Sequence, residues 1–161
     1  MPLVKVYLHF VWSTKGRYPY LNTPDLRMRM WQHIKEHAGE NQIFIDRING
    51  YAEHCHCLIS LGISQTLQKT VQILKGESSC WANRQKLCEE NFAWQDGYFA
   101  SSVSASMLER VRIYIENQES HHTHKSFQQE YDEFLARYGF EAIAGKVSAK
   151  AGGFNPPLTP R

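Results

Sequence analysis

Two short stretches hold side chains that could do chemistry together. The first, Glu53-His54-Cys55-His56-Cys57-Leu58-Ile59, sets two imidazoles two residues apart in a strand-like run. The second, Val111-Arg112-Ile113-Tyr114-Ile115-Glu116-Asn117-Gln118, sets a phenol and an amide four residues apart in a helix-like run. In a strand, residues i and i+2 share a face, so His54 and His56 point one way and Cys55 and Cys57 the other. The apolar flanks make the thiol face the natural core face. Imidazole is the commonest metal ligand, and a same-face pair can clasp one ion. The pair can equally be read as two surface histidines in a chain with eight. The alternating His-Cys-His-Cys side chains cannot converge on one tetrahedral ion, and Cys80 and Cys88 lack the close spacing of a knuckle, which argues against structural zinc.

On a helix, residues i and i+4 are neighbours. Leu108, Val111 and Ile115 make an apolar stripe, with Tyr114 and Gln118 on its shoulder. A tyrosine with its hydroxyl in water and a solvated glutamine would suit that border. So would a catalytic pair, because an amide oxygen is a hard ligand that can complete a site begun by two imidazoles. The phenol, one turn away, would then lie close to a phosphate polarised by the ion. Tyrosine, with an ordinary pKa of about 10, is a poor nucleophile at neutral pH. A nearby cation favours the phenolate and eases attack on phosphorus. The products are a phosphotyrosine and a free hydroxyl. Because a phosphodiester is kept, strands can be rejoined without a nucleotide cofactor.

Such a site needs a sheet and helices to hold it. Residues 4–13 alternate and read as a first strand, followed by a basic loop with Lys15 and Arg17. Thr23-Pro24-Asp25 announces a helix whose apolar face is Leu26, Met30, Ile34 and Ala38, with Gly39 as its stop. Residues 41–49 read as a second strand, Asn49-Gly50 as a tight turn, and residues 52–61 as the return strand carrying the histidines. Ser64 opens a second helix, interrupted at Gly76-Glu77-Ser78-Ser79 and resumed over 80–87. Residues 92–103 hold the last strand, with an Asp96-Gly97 turn inside. Ser106-x-x-Glu109 is a capping-box signature opening a third helix through Ser120, and residues 127–138 form a fourth. This order predicts an α+β, ferredoxin-like split βαβ fold with an antiparallel sheet of about four strands, helices on one face, and a C-terminal helix carrying the nucleophile. The domain spans residues 1–142, and a flexible tail rich in Gly, Ala, Ser and Pro spans 143–161.

At 161 residues, 42% apolar and 21% charged, the chain has the size and composition of one globular domain. No apolar run approaches the roughly 18 residues of a membrane span and no signal peptide is evident, so the cytoplasm is the expected compartment. The four cysteines are expected to be reduced, buried thiols. A net charge of +2 does not by itself point to a partner. Lys15, Arg17, Lys69, Lys75, Arg84 and Lys86 are candidates to follow a phosphate backbone, and Trp12, Trp81 and Trp94 to stack on bases or else to fill the core. Of these, Lys15, Arg17, Lys75, Trp81 and Arg84 are the preferred DNA contacts. His121, His122 and His124 read either as DNA contacts or proton relays, or as a solvated helix end.

The His-hydrophobe-His strand followed by a helix with Tyr-x-x-x-Gln resembles the single-tyrosine HUH transposases of small bacterial insertion sequences, and their relatives associated with repetitive extragenic palindromes. Leu74-Lys75-Gly76-x-Ser78-Ser79, Trp94-x-x-Gly97-Tyr98, Ser101-Ser102-Val103-Ser104 and His121-His122 resemble that family's connecting segments, so the likeness runs from about residue 3 to residue 140. The resemblance implies a metal-dependent nuclease and strand transferase acting on single-stranded DNA with hairpin ends. It implies His54, His56 and Gln118 as ligands of Mg2+ or Mn2+ and Tyr114 as the nucleophile giving a 5′-phosphotyrosine. It also implies a homodimer, in some members with active sites shared between chains. Cys55 stands where an aliphatic residue is more usual, and Tyr51-Ala52-Glu53 replaces a frequent Met-Pro-Asn/Asp run. Glu53 still offers a carboxylate that can support the metal ligands from behind. The alternative function is a non-catalytic or domesticated hairpin DNA- or RNA-binding domain of the same fold.

Overall fold

The computed structural model describes residues 1–121, 125–137, 140–143 and 146–149. Strands β1 (Tyr7–Ser13), β2 (Phe44–Tyr51), β3 (His54–Ser60) and β4 (Phe99–Val103) form an antiparallel sheet in the order β2-β3-β1-β4. Helix α1 (Pro24–Glu40) connects β1 to β2, and α2 (Leu67–Arg84) connects β3 to β4. This is the expected split βαβ arrangement, with β3 lying between β1 and β2. Helices α3 (Leu108–Glu116), α4 (Gln118–His121) and α5 (Phe127–Arg137) follow, and then a hairpin of β5 (Phe140–Ile143) and β6 (Lys146–Ala149). Ile143 and β6 belong to the stretch expected as a tail. The rest of that stretch, and His122 and His124, lie outside the described residues.

The two faces of the sheet are both covered, by different helices. Leu8, Phe10 and Trp12 of β1 and Cys55, Cys57 and Ile59 of β3 pack with Met30 and Ile34 of α1 and Val71 and Leu74 of α2 in the main core. On the opposite face, Leu58 and Val103 pack with Leu108, Val111 and Ile115 of α3, the stripe read from the sequence. All four cysteines are free thiols; Cys55 and Cys57 are buried, whereas Cys80 is exposed and Cys88 half-buried. Trp12 and Trp94 are buried edge-to-face in the main core with centroids 5.9 Å apart, so they are core residues and not base-stacking platforms.

Several local expectations are corrected. Tyr51 pairs with His54, so the hairpin turn is Ala52-Glu53, and Asn49-Gly50 lie within β2 opposite His56 and Cys55. Gly50 serves a close approach instead of a turn: a Cβ there would lie 2.1 Å from the His54 carbonyl oxygen. Helix α1 has the expected cap, Thr23 Oγ1 accepting from Leu26 N at 3.2 Å, but it runs past Gly39 to Glu40 with Asn41 as its C-cap, and the left-handed residue that follows is Gln42, at φ 59°. Thr66, not Ser64, caps α2, which runs unbroken through Gly76-Glu77-Ser78-Ser79. Ser78 Oγ donates to Leu74 O at 2.6 Å and accepts from Trp94 Nε1 at 2.9 Å, so the helix keeps a small hydroxyl there to receive a core indole. The Ser106–Glu109 capping box does not form. Ala105–Met107 makes a short 3-10 turn, and Ser106 Oγ pairs with Ser104 Oγ at 3.1 Å. Strand β4 begins only at Phe99; before it, residues 92–98 put Phe92 and Trp94 into the core and pair with the end of β1 only through an isolated bridge of Trp94 to Thr14. Helix α3 stops at Glu116, with α4 resuming after Asn117.

Candidate active site

Helix α3 is fixed over the histidine face by charged residues at the edge of the sheet. The register of β2 shifts between Ile45 and Arg47, and Asp46 at that irregularity receives both Arg112 Nε (2.8 Å) and Nη2 (2.7 Å). Arg47 Nε donates to Glu116 Oε1 at 2.7 Å, and Asn49 Nδ2 donates to Glu116 O at 3.2 Å. A second clamp holds the next turn. Buried Arg27 of α1 donates to Leu21 O at 2.8 Å and to Glu119 Oε1 at 2.7 Å, with its guanidinium 4.6 Å from the Tyr51 ring centroid. Glu119 is the neighbour of Gln118, so the glutamine is placed by α1 and β2 as well as by its own helix.

These clamps bring Gln118 and Tyr114 onto His54 and His56 of the same chain. Both histidines are fully buried. On the outward side, His54 Nδ1 lies 2.7 Å from Glu53 Oε1, and His56 Nδ1 lies 2.9 Å from His9 Nε2. Both Nε2 atoms therefore turn toward one space. His54 Nε2 lies 3.0 Å from Gln118 Oε1, and His56 Nε2 lies 2.7 Å from Glu130 Oε1. The other Glu130 oxygen is 3.9 Å from His54 Nε2. The Tyr114 hydroxyl donates to Glu130 Oε1, and its ring stands edge-on to His56 with centroids 5.5 Å apart. Gln118 Nε2 faces Tyr114 O at 3.4 Å and Glu130 Oε1 at 3.5 Å.

This donor set fits a divalent cation. With the Nδ1–H of His54 given to the Glu53 carboxylate, its Nε2 presents a lone pair inward, toward an amide oxygen that is also an acceptor. Ligand atoms of His54, His56 and Glu130 lie within 4.8 Å of one another, all buried. A buried cup lined with acceptors is electron-rich, and a cation satisfies it. The partners behind the imidazoles, Glu53 and His9, fix which nitrogen faces in. The same surroundings keep the phenol protonated in the absence of an ion: burial, and then the charge of Glu130, push the Tyr114 pKa well above its ordinary value.

The family model for IS200-like transposases matches residues 3–118, a span running from just before β1 to Gln118. The chain belongs to the IS200-like transposase family. Among solved structures it is similar to a candidate transposase from Deinococcus radiodurans R1, at 21% identity and a TM-score of 0.57, over 73% of this chain and 93% of that one. It is also similar to a REP-associated tyrosine transposase bound to a REP hairpin, at 16% identity and a TM-score of 0.57, over 96% of this chain and 94% of that one. At these identities the likeness is one of fold. No curated protein matches the chain.

In this transposase-family chain the expected DNA contacts divide into two places. Lys15 and Arg17 are exposed on the turn after β1, where Lys15 N bonds Ala93 O, and Arg17 Nη1 donates to Gln128 of α5. Lys75 Nζ reaches the same loop from α2, donating to the carbonyls of Gln95 (2.6 Å), Asp96 (3.0 Å) and Gly97 (3.0 Å). The turn that carries Lys15 and Arg17 is thus bonded to the loop that Lys75 grips, while the Arg17 guanidinium itself is turned toward α5. Trp81 and Arg84 sit elsewhere, at the corner of α1 and α2. Trp81 stacks on His33 with centroids 4.0 Å apart, and Arg84 lies 3.5 Å from Glu77.

Two residues of the site escaped sequence reasoning. His9 sits on β1 beside Leu58 of β3, and only the strand register places it on the histidine face. Glu130 lies in a helix with no spacing relation to His54 or His56, and no motif announces it.

Proposed function

We propose that this chain cuts and rejoins single-stranded DNA at hairpin-bearing ends, with Tyr114 as nucleophile and Mg2+ or Mn2+ held by His54, His56 and Gln118. The observation that carries the reading is the convergence of these four residues in one buried, acceptor-lined cup. Family membership supplies transposition as the process. The hairpin-bound transposase of the same fold supports a hairpin as the substrate class. When bound, the ion supplies positive charge that polarises the scissile phosphate and favours the phenolate.

The chain's own residues do the rest. Glu53 and His9 hold the imidazoles with Nε2 inward, and Arg27, through Glu119, holds the turn that carries Gln118. Tyr114 Oη forms a bond to phosphorus and the P–O3′ bond breaks, leaving a 5′-phosphotyrosine and a 3′ hydroxyl. One proton leaves the phenol and one is taken up by the departing 3′ oxygen. Attack by a 3′ hydroxyl on the phosphotyrosine reverses the step and rejoins strands. Lys15 and Arg17 on the turn after β1 and Lys75 beside residues 95–97 follow the DNA backbone, and Trp81 and Arg84 extend the contact along α2. A homodimer, which the family resemblance implies, would carry two sites each complete in its own chain.

The test is a denaturing gel with end-labelled hairpin-bearing single strands and Mn2+. The wild type is expected to form a protein–DNA adduct, and Tyr114→Phe to form none while still shifting the hairpin in a native gel. An adduct from the Phe variant would overturn the assignment of the nucleophile. Binding without cleavage across several hairpins would favour the non-catalytic reading.

A further inference from the structure

Helix α5 contributes a carboxylate to a site that is complete without it by the motif reading. Glu130 is buried at 2% exposure, and its two oxygens face the inward nitrogens of both histidines, at 2.7 Å from His56 Nε2 and 3.9 Å from His54 Nε2. Its Oε1 also receives the Tyr114 hydroxyl and lies 3.5 Å from Gln118 Nε2. A carboxylate in such a place is costly unless strongly compensated. The cations that fit it best are those that fit the imidazoles beside it, because carboxylate, amide oxygen and imidazole together make a mixed oxygen and nitrogen set suited to Mn2+ and Mg2+.

We propose that Glu130 is a fourth ligand of the ion, and that ion loading and the docking of α5 are therefore one coupled equilibrium. The inference rests on the metal reading of the His54–His56 site. A carboxylate added to two imidazoles and an amide lowers the net charge of the loaded site by one and brings a second stretch of chain, beyond the family's matched residues 3–118, into the ligand set. Linkage is reciprocal: if Glu130 binds the ion, the ion holds α5, and whatever releases α5 loosens the ion by the same factor. Arg17, which donates to Gln128 two residues before Glu130, ties the other side of α5 to the basic turn proposed to meet DNA. DNA that drew Arg17 away would thus act on the ion site through α5.

The experiment is a Mn2+ titration of the full chain followed by the EPR signal of free Mn2+, on wild type, Glu130→Gln, Glu130→Asp and His54→Ala. Amide hydrogen exchange across residues 127–137 is measured with and without Mn2+. Glu130→Gln preserves shape and is expected to weaken Mn2+ at least about tenfold, the lower bound set by what loss of a mere supporting partner does to a metal site. Glu130→Asp should recover part of that loss. Mn2+ should slow exchange across α5 in the wild type and leave it unchanged in Glu130→Gln. If Glu130→Gln binds Mn2+ within twofold of wild type, or more tightly, while His54→Ala abolishes binding, Glu130 only fills the ion's place and this inference falls alone. If the wild type binds no Mn2+, the metal reading falls with it.

Discussion

One strand, β3, faces two ways, and its two faces follow opposite rules. Cys55, Cys57 and Ile59 enter a core of Phe10, Trp12, Met30, Ile34 and Leu74, where burial of apolar surface stabilises the fold. One residue out of phase, His54 and His56 are buried just as fully, yet against Gln118, Glu130, Glu53 and His9. Burying that many polar groups costs stability unless each finds a partner. Burial alone therefore does not tell core from site in this fold. The two are separated by whether the buried atoms need a hydrogen bond, and by whether their partners come from chain segments far apart in sequence.

Removing a large side chain from each face should give the largest and most unlike effects. Phe10→Ala on the apolar face is expected to cost about 3–5 kcal/mol in urea unfolding, with Mn2+ affinity kept in the molecules that remain folded. His54→Ala on the other face is expected to abolish Mn2+ binding and DNA cleavage while changing the unfolding free energy far less. If His54→Ala proves as destabilising as Phe10→Ala, the histidine face is core and not site.

A smaller effect should come from the clamp behind Gln118. Arg27→Ala removes the donor to Leu21 O and Glu119, an expected loss of about 1–3 kcal/mol of stability. It should also weaken Mn2+, because the turn carrying Gln118 loses its tie to α1. Isothermal titration would show the second effect, and unchanged Mn2+ affinity would confine Arg27 to the fold.

The smallest expected effects are in pH dependence, and they should have opposite signs on the two faces. Burial, and then the charge of His56, hold the His9 pKa well below its ordinary value. The unfolded chain therefore takes up a proton below about pH 6.5 that the folded chain refuses, and stability should fall as pH drops from there. On the apolar face burial raises the thiols of Cys55 and Cys57. The unfolded chain loses those protons above about pH 8.5 while the folded chain keeps them, so stability should fall as pH rises past that value. Melting curves across pH should show both flanks. His9→Gln should flatten the acid one, and Cys55→Ala the alkaline one.

Much of this was legible along the chain because it is local. Thr23-Pro24 marked the start of α1, period-two alternation marked β1 and β3, and i,i+4 spacing put Tyr114 beside Gln118 on the edge of the Leu108-Val111-Ile115 stripe. Each is a relation between residues a few positions apart, so backbone geometry alone dictates it. Signals that misled were local too, but were overridden by packing. Asn49-Gly50 has the chemistry of a turn, yet Gly50 was needed where β2 crowds the His54 carbonyl. Gly76 and the two serines after it look like a helix break, yet Ser78 was needed under Trp94.

Local spacing along the chain thus dictated most of the elements, the split βαβ order, and which four side chains could form a metal and nucleophile pair. That they meet in one buried cup was settled by long-range packing, because the meeting depends on Asp46 gripping Arg112 and Arg27 gripping Glu119 across more than sixty residues each. Tertiary structure alone brought in His9 through strand register and Glu130 through the packing of α5. Contacts of that kind are fixed by where whole elements come to rest, and no spacing along the chain records them.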